Sequence, residues 1–128
     1  MKSARSVIGR CVDIFKDIVL GRETGSWVLA ALLLAAMDAK EIGDTCPFCG
    51  KKLGSRQGMV NHVLLSRCYN KLVEVCLRAH DIDRKISGRY FSRTSKRVKL
   101  YIPRVGDITC EYGDIKCVAE EIKKLVSI

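Results

Sequence analysis

The sequence predicts an α+β fold: a mainly helical domain with an embedded metal-binding segment and a C-terminal basic β-hairpin followed by a helix. Three observations carry that prediction. Apolar residues recur at helical spacing before residue 40 and again after residue 68. One stretch, 97–112, alternates instead, as a half-buried strand pair does. Between the two helical blocks, two cysteines, a histidine and a third cysteine stand at intervals typical of metal ligands.

The elements follow in order. Residues 5–20 place Val7, Ile8, Cys11, Ile14, Phe15, Ile18 and Val19 at helical spacing, and Gly21 is a suitable stop. Gly21 to Gly25 makes a turn, and Ser26 caps a second helix that runs to about Lys40. Its apolar run from Trp27 to Met37 has eleven residues, far short of the ~20 that span a bilayer. The run therefore predicts a buried core helix with partners on more than one side, and no membrane contact. A third long helix spans about 69–80, with Leu72, Val73, Cys76 and Leu77 as its inner stripe. Val98, Leu100 and Ile102 alternate with Lys99 and Tyr101 in a strand over 97–102; 103–107 turns, and 108–112 returns. Asp114 caps a final helix with Ile115, Val118, Ala119, Ile122 and Leu125 on one face. Without repeats or a low-complexity linker, 1–128 reads as one compact unit. Its parts are a helical hairpin (1–44), the metal-binding segment (45–68), and a helix, basic hairpin and helix (69–128).

The metal-binding segment has the frame Cys-x2-Cys-x12-His-x5-Cys, filled by Cys46, Cys49, His62 and Cys68. A two-residue gap lets Cys46 and Cys49 grip one side of an ion from a tight turn, and the longer gap leads into a helix presenting His62. From His62 to Cys68 an ideal helix turns roughly 240°, at ~100° per residue, to the wrong face. The helix is therefore expected to loosen or end near Ser66. Cys76 could replace His62 or Cys68 as a ligand, and four unrelated thiols are the bland alternative.

Leu53 follows Cys49 after three intervening residues, Met59 after five more, and His62 two later. Ligand spacing and this apolar pair together resemble the Cys-Cys-His-His zinc finger family, in its variant with a terminal cysteine, over about a fifth of the chain. The resemblance implies one structural Zn2+ held by Cys46, Cys49, His62 and Cys68 in a closed tetrahedral shell, over a minimal core of Leu53 and Met59. It also implies a helix beginning near Arg56, with Ser55, Gly58 and Asn61 at base-reading positions. Asn61 suits adenine, Ser55 is permissive and Gly58 can read nothing, while Lys51, Lys52, Arg56 and Arg67 suit phosphates. The sequence departs from the family at Asp44, where an aromatic is usual, and in having no second finger. One finger covers about three base pairs, so the rest of the chain must supply contacts or the finger is a structural staple.

Charge is segregated along the chain. Its net value is +9, yet residues 1–44 balance to zero and 105–128 come to −2. Residues 45–104 hold fourteen basic and three acidic side chains, and 84–104 hold eight basic and no acidic ones, interleaved with Tyr90, Phe91 and Tyr101. A polyanion is the natural partner, since each neutralised phosphate releases counterions. Arg89, Arg93, Lys96, Arg97, Lys99 and Arg104 are the expected phosphate contacts there. A solvated basic face is the plain alternative. By element order alone, the chain also resembles winged-helix DNA-binding proteins. That implies 69–80 as recognition helix, with Asn70 and Lys71 near its reading end, and 97–112 as wing.

No His-Glu-x-x-His helix, P-loop or dinucleotide-binding glycine pattern is present, and a closed metal shell leaves no place for substrate water, so the chain is not expected to be an enzyme. Cys11, Cys76, Cys110 and Cys117 remain. Cys76, Cys110 and Cys117 could form a second metal site with His80, or Cys110 could bond Cys117, but ordinary burial is the expectation. Seven cysteines with a zinc knuckle suggest a reducing interior, cytoplasmic, nuclear or in a host cell; cytoplasmic hyperthermophile proteins are an exception. Three functions follow: a double-stranded DNA-binding regulator first, an RNA-binding protein second, and third a protein-interaction module. In the last, helices 7–19 and 27–37 would dock a partner, or form a homodimer.

Overall fold

The computed structural model describes residues 4–22, 26–37, 43–86 and 88–126. Five helices and three strands follow in the order α1 (Ala4–Leu20), α2 (Trp27–Met37), α3 (Arg56–Leu65), α4 (Cys68–Lys85), β1 (Tyr90–Arg93), β2 (Arg97–Ile102), β3 (Gly106–Glu111) and α5 (Ile115–Val126). The α+β class stands. The expected extension of the second helix to about Lys40, and most of the turn before it, lie outside the described residues.

Caps are where the composition puts them. Ser26 Oγ accepts from the Leu29 N–H at the start of α2, and Asp114 Oδ1 accepts from the Cys117 N–H at the start of α5. Two apolar clusters make the interior, and α2 and α4 run through both. In the first, Phe15, Leu33, Met59, Val63 and Leu72 join α1, α2, α3 and the N-terminal half of α4. In the second, Leu32, Ala79, Ile82, Leu100, Ile108 and Ile122 join α2, the C-terminal half of α4, the sheet and α5. Leu32 and Leu33 are adjacent, fully buried and in different clusters, which accounts for a helix apolar on all sides. The apolar residues expected to offer a docking or homodimer surface are thus largely spent in the chain's own interior.

Two expectations are corrected. First, α4 continues to Lys85, beyond the expected end at His80, because Ala79, Ile82 and Ile86 extend its buried stripe; Leu77, read as part of that stripe, is 41% exposed. Second, the hairpin gains a strand: β1 pairs antiparallel with β2, and β2 with β3, in the order β1-β2-β3. The strand pair over 97–112 is half-buried, as its alternation predicts. Val98, Leu100, Ile102, Ile108 and Cys110 bury its inner face, and Phe91 of β1 stacks on Trp27 with ring centroids 5.7 Å apart.

Candidate metal centre and basic surface

The metal centre begins with a turn. Cys46 N–H donates to the Lys51 carbonyl and Gly50 N–H to the Cys46 carbonyl, both at 2.9 Å, and a bridge pairs Thr45 with Lys52. Gly50 closes this knuckle at φ +80°, a conformation that costs a residue with a Cβ more than it costs glycine. Cys46 and Cys49 therefore point to one side. Then α3 brings His62 to the same place and ends at Leu65, where Ser66 is extended (φ −120°, ψ −177°). Ser66 Oγ accepts from the Cys68 N–H at 3.1 Å, turning the chain so that α4 starts with Cys68 facing the cluster. The break expected from helix geometry is there.

All four ligand atoms lie within 4.8 Å of one another. Cys46 Sγ and Cys68 Sγ are 3.7 Å apart. His62 Nε2 lies 3.3 Å from Cys49 Sγ and 3.6 Å from Cys68 Sγ. A tetrahedron with bonds of ~2.3 Å to sulfur and ~2.0 Å to nitrogen has S···S edges of roughly 3.8 Å and S···N edges of roughly 3.5 Å. The side chains are thus already spaced as one ion's shell, and the Cys3His cluster can hold one metal. Before an ion binds, burial pushes the Cys46 thiol up to about 11. The Lys51 backbone N–H, then the His62 ring, pull the exposed Cys49 thiol down to about 7. The site is fused to the helical body: Met59 is fully buried and Leu53 packs against the same cluster, and Phe48 meets Phe15 of α1 at 6.3 Å between ring centroids.

The residues of α3 expected to read bases are occupied with holding α3 together. Ser55 Oγ accepts from the Gly58 N–H at 2.9 Å, which makes Ser55 the N-cap. Asn61 Oδ1 accepts from Gln57 Nε2 at 3.1 Å, and Gly58 has no side chain.

Of the basic side chains expected to meet a polyanion, Lys51, Lys52, Arg56, Arg67, Lys71, Arg93, Lys96, Arg97, Lys99 and Arg104 are exposed, as is Asn70. Arg89 is not free. It pairs with Asp83 at 2.7 Å and donates to the Asp83 and Ile86 carbonyls, tying down the end of α4. Arg93 stacks its guanidinium over Tyr112, 5.6 Å from the ring centroid. Among the described residues, Arg89 alone of the basic side chains in 45–104 has a carboxylate partner.

The leftover cysteines are not simply buried. Cys11 of α1 bonds Cys76 of α4, and Cys110 of β3 bonds Cys117 of α5. Cys76 is thereby unavailable as a replacement ligand, and the imagined second site loses three of its four donors. Two disulfides are also not what a reducing interior accounts for. Among the described residues no helix is long and apolar enough to cross a membrane. No family model matches the chain, and neither a curated protein nor a solved structure shows significant similarity to it.

Proposed function

We propose that the chain is a zinc-stapled nucleic-acid-binding protein and not an enzyme. Zinc is the ion that best suits three thiolates and an imidazole in a closed tetrahedron, and such a shell contributes folding free energy rather than chemistry. The observation that carries the binding function is uncompensated charge. The basic side chains of 45–104 other than Arg89 have no ion pair among the described residues, although Arg97 sits directly across from Glu111 in the sheet. Charge kept only for solubility is usually balanced or scattered; here it is concentrated, exposed and of one sign.

Because Ser55, Gly58 and Asn61 serve α3 itself, the finger acts as a scaffold, and its Lys51 and Lys52 contribute phosphate contacts. In a regulator that reads duplex DNA, base contacts then fall to the exposed N-terminal turns of α4. Asn70→Ala and Lys71→Ala should change sequence preference more than Ser55→Ala and Asn61→Ala do. The central test is a salt series. Affinity for nucleic acid should fall steeply with salt, and replacing Arg93, Lys96, Arg97 and Lys99 by Ala should weaken binding to all sequences alike and flatten the slope. Absence of binding to duplex DNA, single strands and structured RNA at low salt ends this reading.

A further inference from the structure

Strand pairing places Tyr90 directly across from Tyr101 on β1 and β2. Both lie on the face of the sheet opposite the buried one, since Phe91, Leu100 and Ile102 point inward. Tyr90 is 68% exposed and Tyr101 49%. Side chains paired in this way have Cβ atoms roughly 5 Å apart, so the two rings form one aromatic surface. They border an open hollow of about 300 Å³, also lined by Ser92, Lys99 and Asp107. Lys99 follows one step along, across from Ser92, then Arg97, while Arg104 stands in the turn beyond Tyr101.

Building on the nucleic-acid reading above, we propose that this outer face of the sheet binds an unpaired stretch of nucleic acid. Bases stack on Tyr90 and Tyr101, and the backbone runs along Lys99, Arg97 and Arg104. Paired bases hide their faces inside the duplex, so a stacking surface selects single strands, loops or ends. Charge decides which way the strand lies. Asp107 and Glu111 on β3 repel phosphates, which keeps the backbone on the β1–β2 side. Asp107, beside Tyr101, offers acceptors to the amino edge of a stacked base.

The test uses the full zinc-loaded chain and fluorescein-labelled probes: oligo-dT, oligo-U and a mixed-sequence duplex, read by anisotropy. Tyr90→Ala and Tyr101→Ala should each weaken single-strand binding about tenfold and leave duplex affinity unchanged, while Tyr→Phe variants stay near wild type. The dT and U arms report whether DNA or RNA is preferred. As a readout that needs no variant, photocrosslinking wild-type protein to 5-iodouridine oligomers should mark Tyr90 or Tyr101. Crosslinks confined to α4, or single-strand affinity unmoved in folded alanine variants, overturn the proposal. Duplex binding without single-strand binding overturns it too, and leaves the nucleic-acid reading intact. Failure of every probe at low salt removes both.

Discussion

Gly58, at a position of α3 expected to read bases, has no side chain, and the cause is local. A Cβ there would lie 2.9 Å from Ser55 Oγ, the hydroxyl that caps α3. Alanine is worth up to ~1 kcal/mol over glycine in a helix, and losing an N-cap costs ~1 kcal/mol. The two effects oppose each other, so Gly58→Ala alone should leave stability nearly unchanged. In a Ser55→Ala background the clash is gone, and the same change should stabilise by roughly 0.5–1 kcal/mol. A double-mutant cycle in urea measures the coupling; strict additivity removes the capping explanation. Proton linkage offers a second check at this scale. The Cys46 thiol, at about 11, is protonated at neutral pH and must lose its proton to bind metal. Metal affinity should therefore rise with pH, about tenfold per unit for that proton. Below about 7, where Cys49 also becomes protonated, the dependence should steepen by up to a further factor of about ten per unit. Competition with a chromophoric chelator across pH 5–8 reads this slope, and a flat profile would exclude Cys46 as a ligand.

At the scale of elements, α4 is the member that both clusters share, and its buried stripe can be tested by contrast. Leu72 is fully buried, whereas Leu77 is 41% exposed. Leu72→Ala should cost about 2–5 kcal/mol, and Leu77→Ala should stay within about 0.5 kcal/mol. Equal losses in urea unfolding would return Leu77 to the interior. What could be read beforehand divides along physical lines. Ligand spacing is imposed by coordination geometry, so Cys46, Cys49, His62 and Cys68 were legible, as was the break at Ser66, which follows from helix angle alone. Ser26 and Asp114 were legible because a cap is a local bond. The last turn of α4 was hidden by Asp81, Asp83, Arg84 and Lys85, whose polarity masks the continuing stripe of Ala79 and Ile82. With only four residues, β1 is too short to show alternation, and it is a strand because β2 offers it an edge. Nothing within 90–93 announces partners five to eleven residues away.

For the whole molecule, the cross-links set the hierarchy of stability. The Cys11–Cys76 bond spans a sequence separation of 65 residues and the Cys110–Cys117 bond a separation of 7. On a chain-entropy basis these restrict the unfolded chain by about 4 and about 2.5 kcal/mol. With zinc held saturating, Cys11→Ala/Cys76→Ala should lose more stability than Cys110→Ala/Cys117→Ala, as measured by denaturant midpoints. The reverse order would mean that α1 and α4 are held by packing alone. The Cys110–Cys117 bond was one possibility that the sequence offered, but the Cys11–Cys76 bond was not legible, because four cysteines admit three connectivities and spacing does not choose among them. One helix also carries two opposite redox demands. Cys68 at the start of α4 must stay a thiol to ligate metal, and Cys76, about two turns further on, must be oxidised. Correct pairing should therefore depend on whether metal or oxidant arrives first. If oxidant arrives first, the free thiols of Cys46, Cys49 and Cys68 can attack any nascent disulfide and spread mispairing. If metal arrives first, three thiols are withdrawn from exchange, and the four that remain are the four that belong together.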